Sequence, residues 1–324
     1  MENNDENGIK EIEDLPGVGP TIASKLRNAG YYDIIALATA NPADVAEVAD
    51  IAEPTARKII AEAREAANMN FVSGNDFESR METIKKITLS SEKLNKLLGG
   101  GIETQSLTEF FGEYGSGKTQ VAYQLAVNVQ LPLEKGGVEG KAVWIDTEGT
   151  FRPERLKQIA MAQGIDPEKS LENIKVGRAY STDHQMLLID KIPDLINQDK
   201  KIKLIIIDSM TALFRAEFVG RSNLADRQQK LNVLLHHLQR IADRFNVAVY
   251  YTNQVMARPD VLFGDPTAAI GGNIIGHMAT YRVYLRKSKK NIRIARLVDS
   301  PNLPEQEAAF QITPEGIKDV EEDE

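Results

Sequence analysis

The stretch Gly112-Glu113-Tyr114-Gly115-Ser116-Gly117-Lys118-Thr119 constrains this chain more than any other feature. It fits the pattern GxxxxGK[ST] and stands where that pattern must stand. The apolar run Leu107 to Phe111 ends directly before it, and a helical pattern of Val121, Ala122, Leu125, Ala126 and Val129 follows. Glycines let the backbone curl until successive N–H groups face one centre, and the N-terminus of the next helix adds positive potential there. Such a loop cradles the phosphates of a nucleotide, with Lys118 reaching the outer phosphates and the Thr119 hydroxyl holding Mg²⁺. A sheet has to carry it. Further apolar runs (Ala142 to Ile145, Leu204 to Ile207, Val247 to Tyr251) alternate with amphipathic stretches of helix length. The larger part of the chain is therefore expected to be an α/β fold around a mostly parallel sheet.

Acidic and amide side chains fall at the ends of these runs. Leu204-Ile205-Ile206-Ile207-Asp208 reads as a buried strand whose terminal carboxylate, Asp208, turns towards the metal. Ala142 to Ile145 runs into Asp146-Thr147-Glu148-Gly149. Glu148 is the candidate to orient or deprotonate a water in line with the γ-phosphate of ATP; the alternative is that Asp146 and Glu148 only cap a helix. Asn253-Gln254 lies just past Val247 to Tyr251, and Gln254 offers an uncharged amide to contact the γ-phosphate, a plain turn being the alternative. The expected cofactors are ATP and Mg²⁺, with Glu148, Lys118 and Gln254 as the catalytic set.

Composition narrows the remaining classes. With 324 residues, 42% of them hydrophobic, the chain can bury a sizeable core and fill about two domains. No apolar run approaches the roughly 20 residues of a membrane span. Met1 to Asp14 lacks the basic-then-apolar order of a signal peptide, so a cytoplasmic location is expected. The absence of cysteine excludes disulfides, thiolate zinc sites and thiol nucleophiles, and His184, His236, His237 and His277 show no metal-ligand spacing. A net charge of -8 opposes nucleic-acid binding over the whole surface. Acids crowd the two tips, however, so a DNA surface would be a local stripe.

Along the chain, residues 1–10 read as a flexible tail, 11–67 as a small Ala-rich helical domain, 68–87 as a linker where periodicity fades, 88–318 as the nucleotide-binding core and 319–324 as an acidic tail. Within Leu15 to Thr21, Gly17 and Gly19 make a tight hairpin opening a helix. Its exposed N–H groups suit a DNA phosphate without reading sequence, and a packing or protein-contact role is the alternative. Residues 215–227 mix Arg215, Arg221 and Arg227 with Gly220, as expected of a loop gripping a phosphate backbone. Residues 256–276 lack a regular period and hold Gly264, Gly271, Gly272 and Gly276; loops of that length are usually functional or disordered. Arg286, Lys287, Lys289, Lys290, Arg293 and Arg296 form a basic cluster whose plain reading is a solvated hairpin.

Taken together these residues resemble the archaeal branch of the RecA-type strand-exchange recombinases. The resemblance covers nearly the whole chain. It rests on the hairpin of the N-terminal domain, on GEYGSGKT, on DTEGTFRPER at Asp146 to Arg155 and on LIIIDS. FVGRSNLADRQQ at Phe218 to Gln229, NQV at Asn253, and IGG with GH at Ile270 to His277 complete it. It implies a helix-hairpin-helix domain joined to a RecA-type ATPase core, and a protein that coats single-stranded DNA as a filament when ATP is bound and pairs it with homologous duplex. It further implies that Arg155 stacks on adenine, and that His277 with Asp299 and Pro301 of a neighbouring subunit closes over the nucleotide. Phe71 would plug into the next subunit, and the two loops, including Arg221, Gly271 and Gly272, would line the DNA axis. Two positions depart from the pattern: Phe71-Val72-Ser73-Gly74 stands where Phe-x-x-Ala is usual, and Asp50 stands where the second hairpin has a glycine. A non-exchanging ATP-binding recombination mediator and a hexameric helicase motor are the competing readings.

Overall fold

The computed structural model describes residues 11–31, 34–67, 71–257, 267–269 and 278–320, and divides into two compact units, Met1–Arg80 and Met81–Glu324. The first unit is helical: a 3₁₀ turn at Ile12–Asp14, then α1 (Pro20–Asn28), α2 (Ile34–Ala38), α3 (Pro42–Ala49) and α4 (Glu53–Ala66). Ile12, Leu15, Leu26, Leu37, Val45, Ile59 and Ile60 form its core, with Ala23, Ala56 and Ala63 letting the helices approach closely. Gly17 sits at φ +88° in the turn before α1, and Pro20 opens that helix with its fixed φ and missing donor. The second hairpin keeps its turn although Asp50 replaces the expected glycine. Asp50 adopts φ 54°, ψ 54°, a left-handed conformation costing about 1–2 kcal/mol for an ordinary L-residue. Lys25 supports the turn by donating from Nζ to the Ala49 carbonyl (3.3 Å) and the Asp50 carboxylate (3.2 Å).

Helix α5 (Gly74–Met81) forms inside the stretch that the sequence marks as a linker. Its start is fixed locally, because Ser73 and Asp76 exchange hydrogen bonds: Ser73 Oγ donates to the Asp76 carboxylate (2.6 Å) and accepts from the Asp76 N–H (3.2 Å).

The second unit opens with β1 (Lys86–Ile87), α6 (Glu92–Leu97) and β2 (Ile102–Glu103), where β1 and β2 make a small antiparallel pair. The main elements follow in alternation: β3 (Leu107–Gly112), α7 (Lys118–Asn128), β4 (Lys141–Asp146), α8 (Pro153–Ala162), α9 (Pro167–Glu172), β5 (Ile174–Arg178), α10 (Thr182–Asp190), α11 (Ile192–Gln198), β6 (Ile202–Asp208), α12 (Ala212–Glu217), α13 (Leu224–Phe245) and β7 (Ala248–Ala257). Last come β8 (Thr267–Ala269), β9 (Tyr281–Lys287), β10 (Ile292–Asp299), β11 (Gln306–Thr313) and β12 (Gly316–Asp319). The large sheet runs β12-β11-β10-β9-β3-β7-β6-β4-β5, with β8 paired to β7. From β9 to β5 the neighbours are parallel; from β9 to β12 they are antiparallel.

Strand alternation splits the apolar side chains between two faces. Phe110, Trp144, Leu204, Ile206 and Tyr250 join the core beneath α7 and α8, while Leu107, Val143, Ile205, Ile207 and Tyr251 join the core beneath α10, α11 and α13. Both faces of the parallel part are thus covered, which is why its strands read as unbroken apolar runs. Asp319, set in the acidic tail by sequence, instead closes β12. Its carboxylate accepts from Ser91 Oγ (2.5 Å) and from the N–H groups of Glu92 (2.9 Å) and Lys93 (3.2 Å), capping α6. Among the described residues no helix is long and apolar enough to cross a membrane.

Candidate active site

The parallel register brings the phosphate loop and the acidic strand ends to one edge of the sheet. Gly112 at the end of β3 aligns with Gln254 of β7, and Asp146 at the end of β4 aligns with Asp208 of β6. Two glycines are required by space. At Gly112 a Cβ would collide with the Leu285 carbonyl oxygen; at Gly117, the N-cap of α7 with φ +109°, it would lie 2.8 Å from Ile312 Cδ1. Between them lie Glu113, the exposed Tyr114, Gly115 and Ser116.

Lys118 folds back over the loop, its ammonium donating to the carbonyls of Gly112 (2.9 Å) and Glu113 (2.9 Å). Burial pushes its pKa down, Asp208 and Glu148 pull it back up, and Lys287 adds to the fall. Asp208 is buried and accepts from Thr252 Oγ1 (2.5 Å) and from the Thr119 hydroxyl. Its carboxyl is pushed up by burial, against the pull of those two hydrogen bonds. Thr119 and Asp208 thus present adjacent hard oxygen donors. This suits Mg²⁺, which takes one or two protein oxygens and completes its shell with phosphates and water.

Helix α8 starts from Arg152 without a side-chain cap, whereas Asp146 holds the loop after β4. One of its oxygens accepts from the N–H groups of Glu148 (3.1 Å), Gly149 (2.7 Å) and Thr150 (3.2 Å), and the other from Phe151 (3.2 Å). Tyr123 ties the same loop to α7, donating to the Thr150 carbonyl (2.7 Å) and accepting from the Arg152 N–H (2.8 Å). Desolvation carries the Tyr123 pKa up to about 12, so the phenol keeps its donor proton. The loop so held offers Glu148, an exposed side chain. Partial desolvation and then Asp208 push its carboxyl up, against Lys118 and the Gln254 hydrogen bond. Gln254 Nε2 donates to Glu148 Oε1 (2.9 Å), and Gln254 Oε1 accepts from Arg215 Nη1 (2.6 Å).

Arg155 donates from Nε to Gln120 Oε1 (2.8 Å), from Nη2 to the Thr313 carbonyl (2.8 Å) and from Nη1 to the Pro314 carbonyl (2.6 Å), beside the start of α7. Asp299 and Pro301 are not brought to the loop of their own chain. Arg293, six residues before Asp299 on β10, approaches Gly117, so Asp299 lies roughly 20 Å further along the strand. Arg227 lies in the first turn of α13, Arg221 opens a 3₁₀ turn before it, and Phe71 is fully exposed in the first unit. His277, Gly271 and Gly272 fall outside the described residues. Four contributors escaped the sequence reading. Asp146 was taken with Glu148, although its spacing to the next N–H groups is that of an Asx turn. Nothing in the local sequence singles out Tyr123. Lys287 and Arg293, counted in a solvated basic cluster, flank Gly115 and Gly117 because β9 pairs with β3 and β10 with β9. No local signal announces that neighbourhood.

The sheet order, the glycine-curled loop between β3 and α7, and the helical first unit define a RecA-type nucleotide-binding core with a helix-hairpin-helix domain. The Rad51 family matches residues 79–320, and the SAM-like helix-hairpin-helix tandem matches residues 9–65. The chain belongs to the Rad51 family. It is 56% identical to the DNA repair and recombination protein RadA of Aeropyrum pernix over 98% of this chain and 99% of that protein. To the protein of the same name from Metallosphaera sedula it is 52% identical, over 97% of each.

Proposed function

We propose that this chain is an ATP-dependent recombinase of DNA repair and recombination, which assembles on single-stranded DNA, pairs it with homologous duplex and hydrolyses ATP in response to DNA. The observation that carries this reading is the Arg215–Gln254–Glu148 chain of hydrogen bonds. It ties the carboxylate of the nucleotide site to α12, which leads into the arginine-bearing residues 218–227, and to β7, which leads into residues 258–266.

ATP with Mg²⁺ would be held by the Gly112–Thr119 loop, Lys118, Thr119 and Asp208, and the ion would neutralise charge on the phosphates. Lys118 leaves two backbone carbonyls to contact the outer phosphates. Glu148 orients the attacking water and takes its proton, a task suited by its raised pKa. Gln254 is positioned to exchange its bond to Glu148 for one to the γ-phosphate and so transmit the nucleotide state to both DNA segments. Arg155, on α8 beside the start of α7, would meet the base. Asp299, Pro301 and His277 would act on a neighbour's nucleotide, and Phe71, exposed in the first unit, would join protomers. Gly17 and Gly19 would add a phosphate contact for duplex DNA.

Negative-stain electron microscopy with ATP and single-stranded DNA tests the assembly. Helical filaments on the DNA are expected; closed rings would favour a helicase motor, and absence of either a mediator.

A further inference from the structure

Glu109 is a buried acid that the chemistry above does not use. It lies on β3 three residues before Gly112, in register with Tyr251 of β7 and Arg282 of β9, and is fully buried. One carboxylate oxygen accepts from Arg282 Nε (2.7 Å), whose guanidinium also sits 5.1 Å from the centre of the Phe111 ring. The other accepts from Asn253 Nδ2 (2.8 Å). Asn253 is buried as well, and its Oδ1 accepts from Thr211 Oγ1 (2.8 Å) and from the backbone N–H of Gln254 (2.9 Å). A backbone N–H can only donate, so it fixes Oδ1 on its own side and turns Nδ2 towards Glu109. A carboxylate can accept on both oxygens, and therefore satisfies Arg282 and Asn253 at once. As a stabilising device such a pair is poor, because well-packed apolar residues of similar volume commonly do as well or better. Its contact with Asn253, the residue before Gln254, gives it a different use.

We propose that Glu109, held by Arg282, is a positioning residue for hydrolysis: it sets the orientation of the Asn253 amide, which through the Gln254 backbone aims the Gln254 side chain at Glu148. The proposal rests on the reading of Glu148 and Gln254 given above. A glutamine at position 109 brings one oxygen and one NH₂ group, so either Arg282 or Asn253 loses its acceptor. If Asn253 turns over to compensate, it presents Nδ2 to the Gln254 N–H, and the bond that seats Gln254 is lost. Arg282 links the same anchor to β9, the strand that follows the second glycine-bearing segment.

The test compares the full-length chain with Glu109→Gln, Gln254→Ala and their double variant, measuring kcat for ATP with single-stranded DNA and the affinity for a fluorescent ATP analogue. Glu109→Gln is expected to lower kcat about 10-fold while nucleotide Kd stays within about 2-fold, since an orienting contact has gone and the phosphate loop has not. Adding Gln254→Ala should cost less than about 2-fold more, because residues acting in one line are not additive. Glu109→Met/Arg282→Met removes both charges, should melt near the parent by circular dichroism, and should show the same fall in kcat. If Glu109→Gln fails to fold, this pair decides. Unchanged kcat in Glu109→Gln, multiplicative losses in the double variant, or full turnover in the methionine pair would overturn the positioning role. A parent chain that turns over no ATP with DNA would overturn the underlying reading along with it.

Discussion

Lys118→Ala should reduce ATP turnover by at least about 10³-fold in a phosphate-release assay, the scale of losing a preorganised charge from a buried site. Lys118 is a buried cation drawn towards Asp208 and Glu148, and its ammonium already sits at the mouth of the loop on two carbonyls. Without it the triphosphate would enter beside Asp146, Asp208 and Glu148 with that counter-charge missing, and affinity should fall together with turnover. A variant turning over ATP within 10-fold of the parent would mean that the loop binds something other than the reacting phosphates.

Glu148→Gln should behave differently. Nucleotide binding should persist while kcat falls by at least about 10², because the amide keeps the bulk but cannot take a proton. The pH profile separates this role from a structural one. Burial and Asp208 raise the Glu148 pKa, so the acid form persists to higher pH than for an ordinary glutamate. A base must be deprotonated to act; activity should therefore be lost as pH falls through that raised value. The acid limb of kcat in the parent should lie above the usual carboxylate range and be missing from the glutamine variant. A limb that persists unchanged would assign the titration, and the base, to another group.

The strand, loop and helix around Lys118 were legible because the motif carries its own context: an apolar run before it, a helical period after it, and glycines where a Cβ has no room. Asp208 was legible as a strand end and Glu148 as lying just past one. Their partnership was not, since Gln254 and Glu148 are 106 residues apart and meet through the order β3-β7-β6-β4, which no local pattern encodes. Arg215 shows the same limit: its composition suited a DNA loop, and its guanidinium is bonded to Gln254. Lys287 and Arg293 looked like a solvated charge run because a cluster of cations gives no hint of which strand it will flank. Asp50 shows the reverse case, where the expected glycine is missing and the left-handed turn persists on an aspartate supported by Lys25.

On the proposed function, Gln254 joins the nucleotide site to the segments proposed to contact DNA. The most direct measurement is the steady-state ATPase rate of the intact chain with and without single-stranded DNA. Clear stimulation by DNA in the parent, abolished in Gln254→Ala, is the predicted result. A rate indifferent to DNA, or a stimulation that survives the loss of the Gln254 side chain, would contradict it.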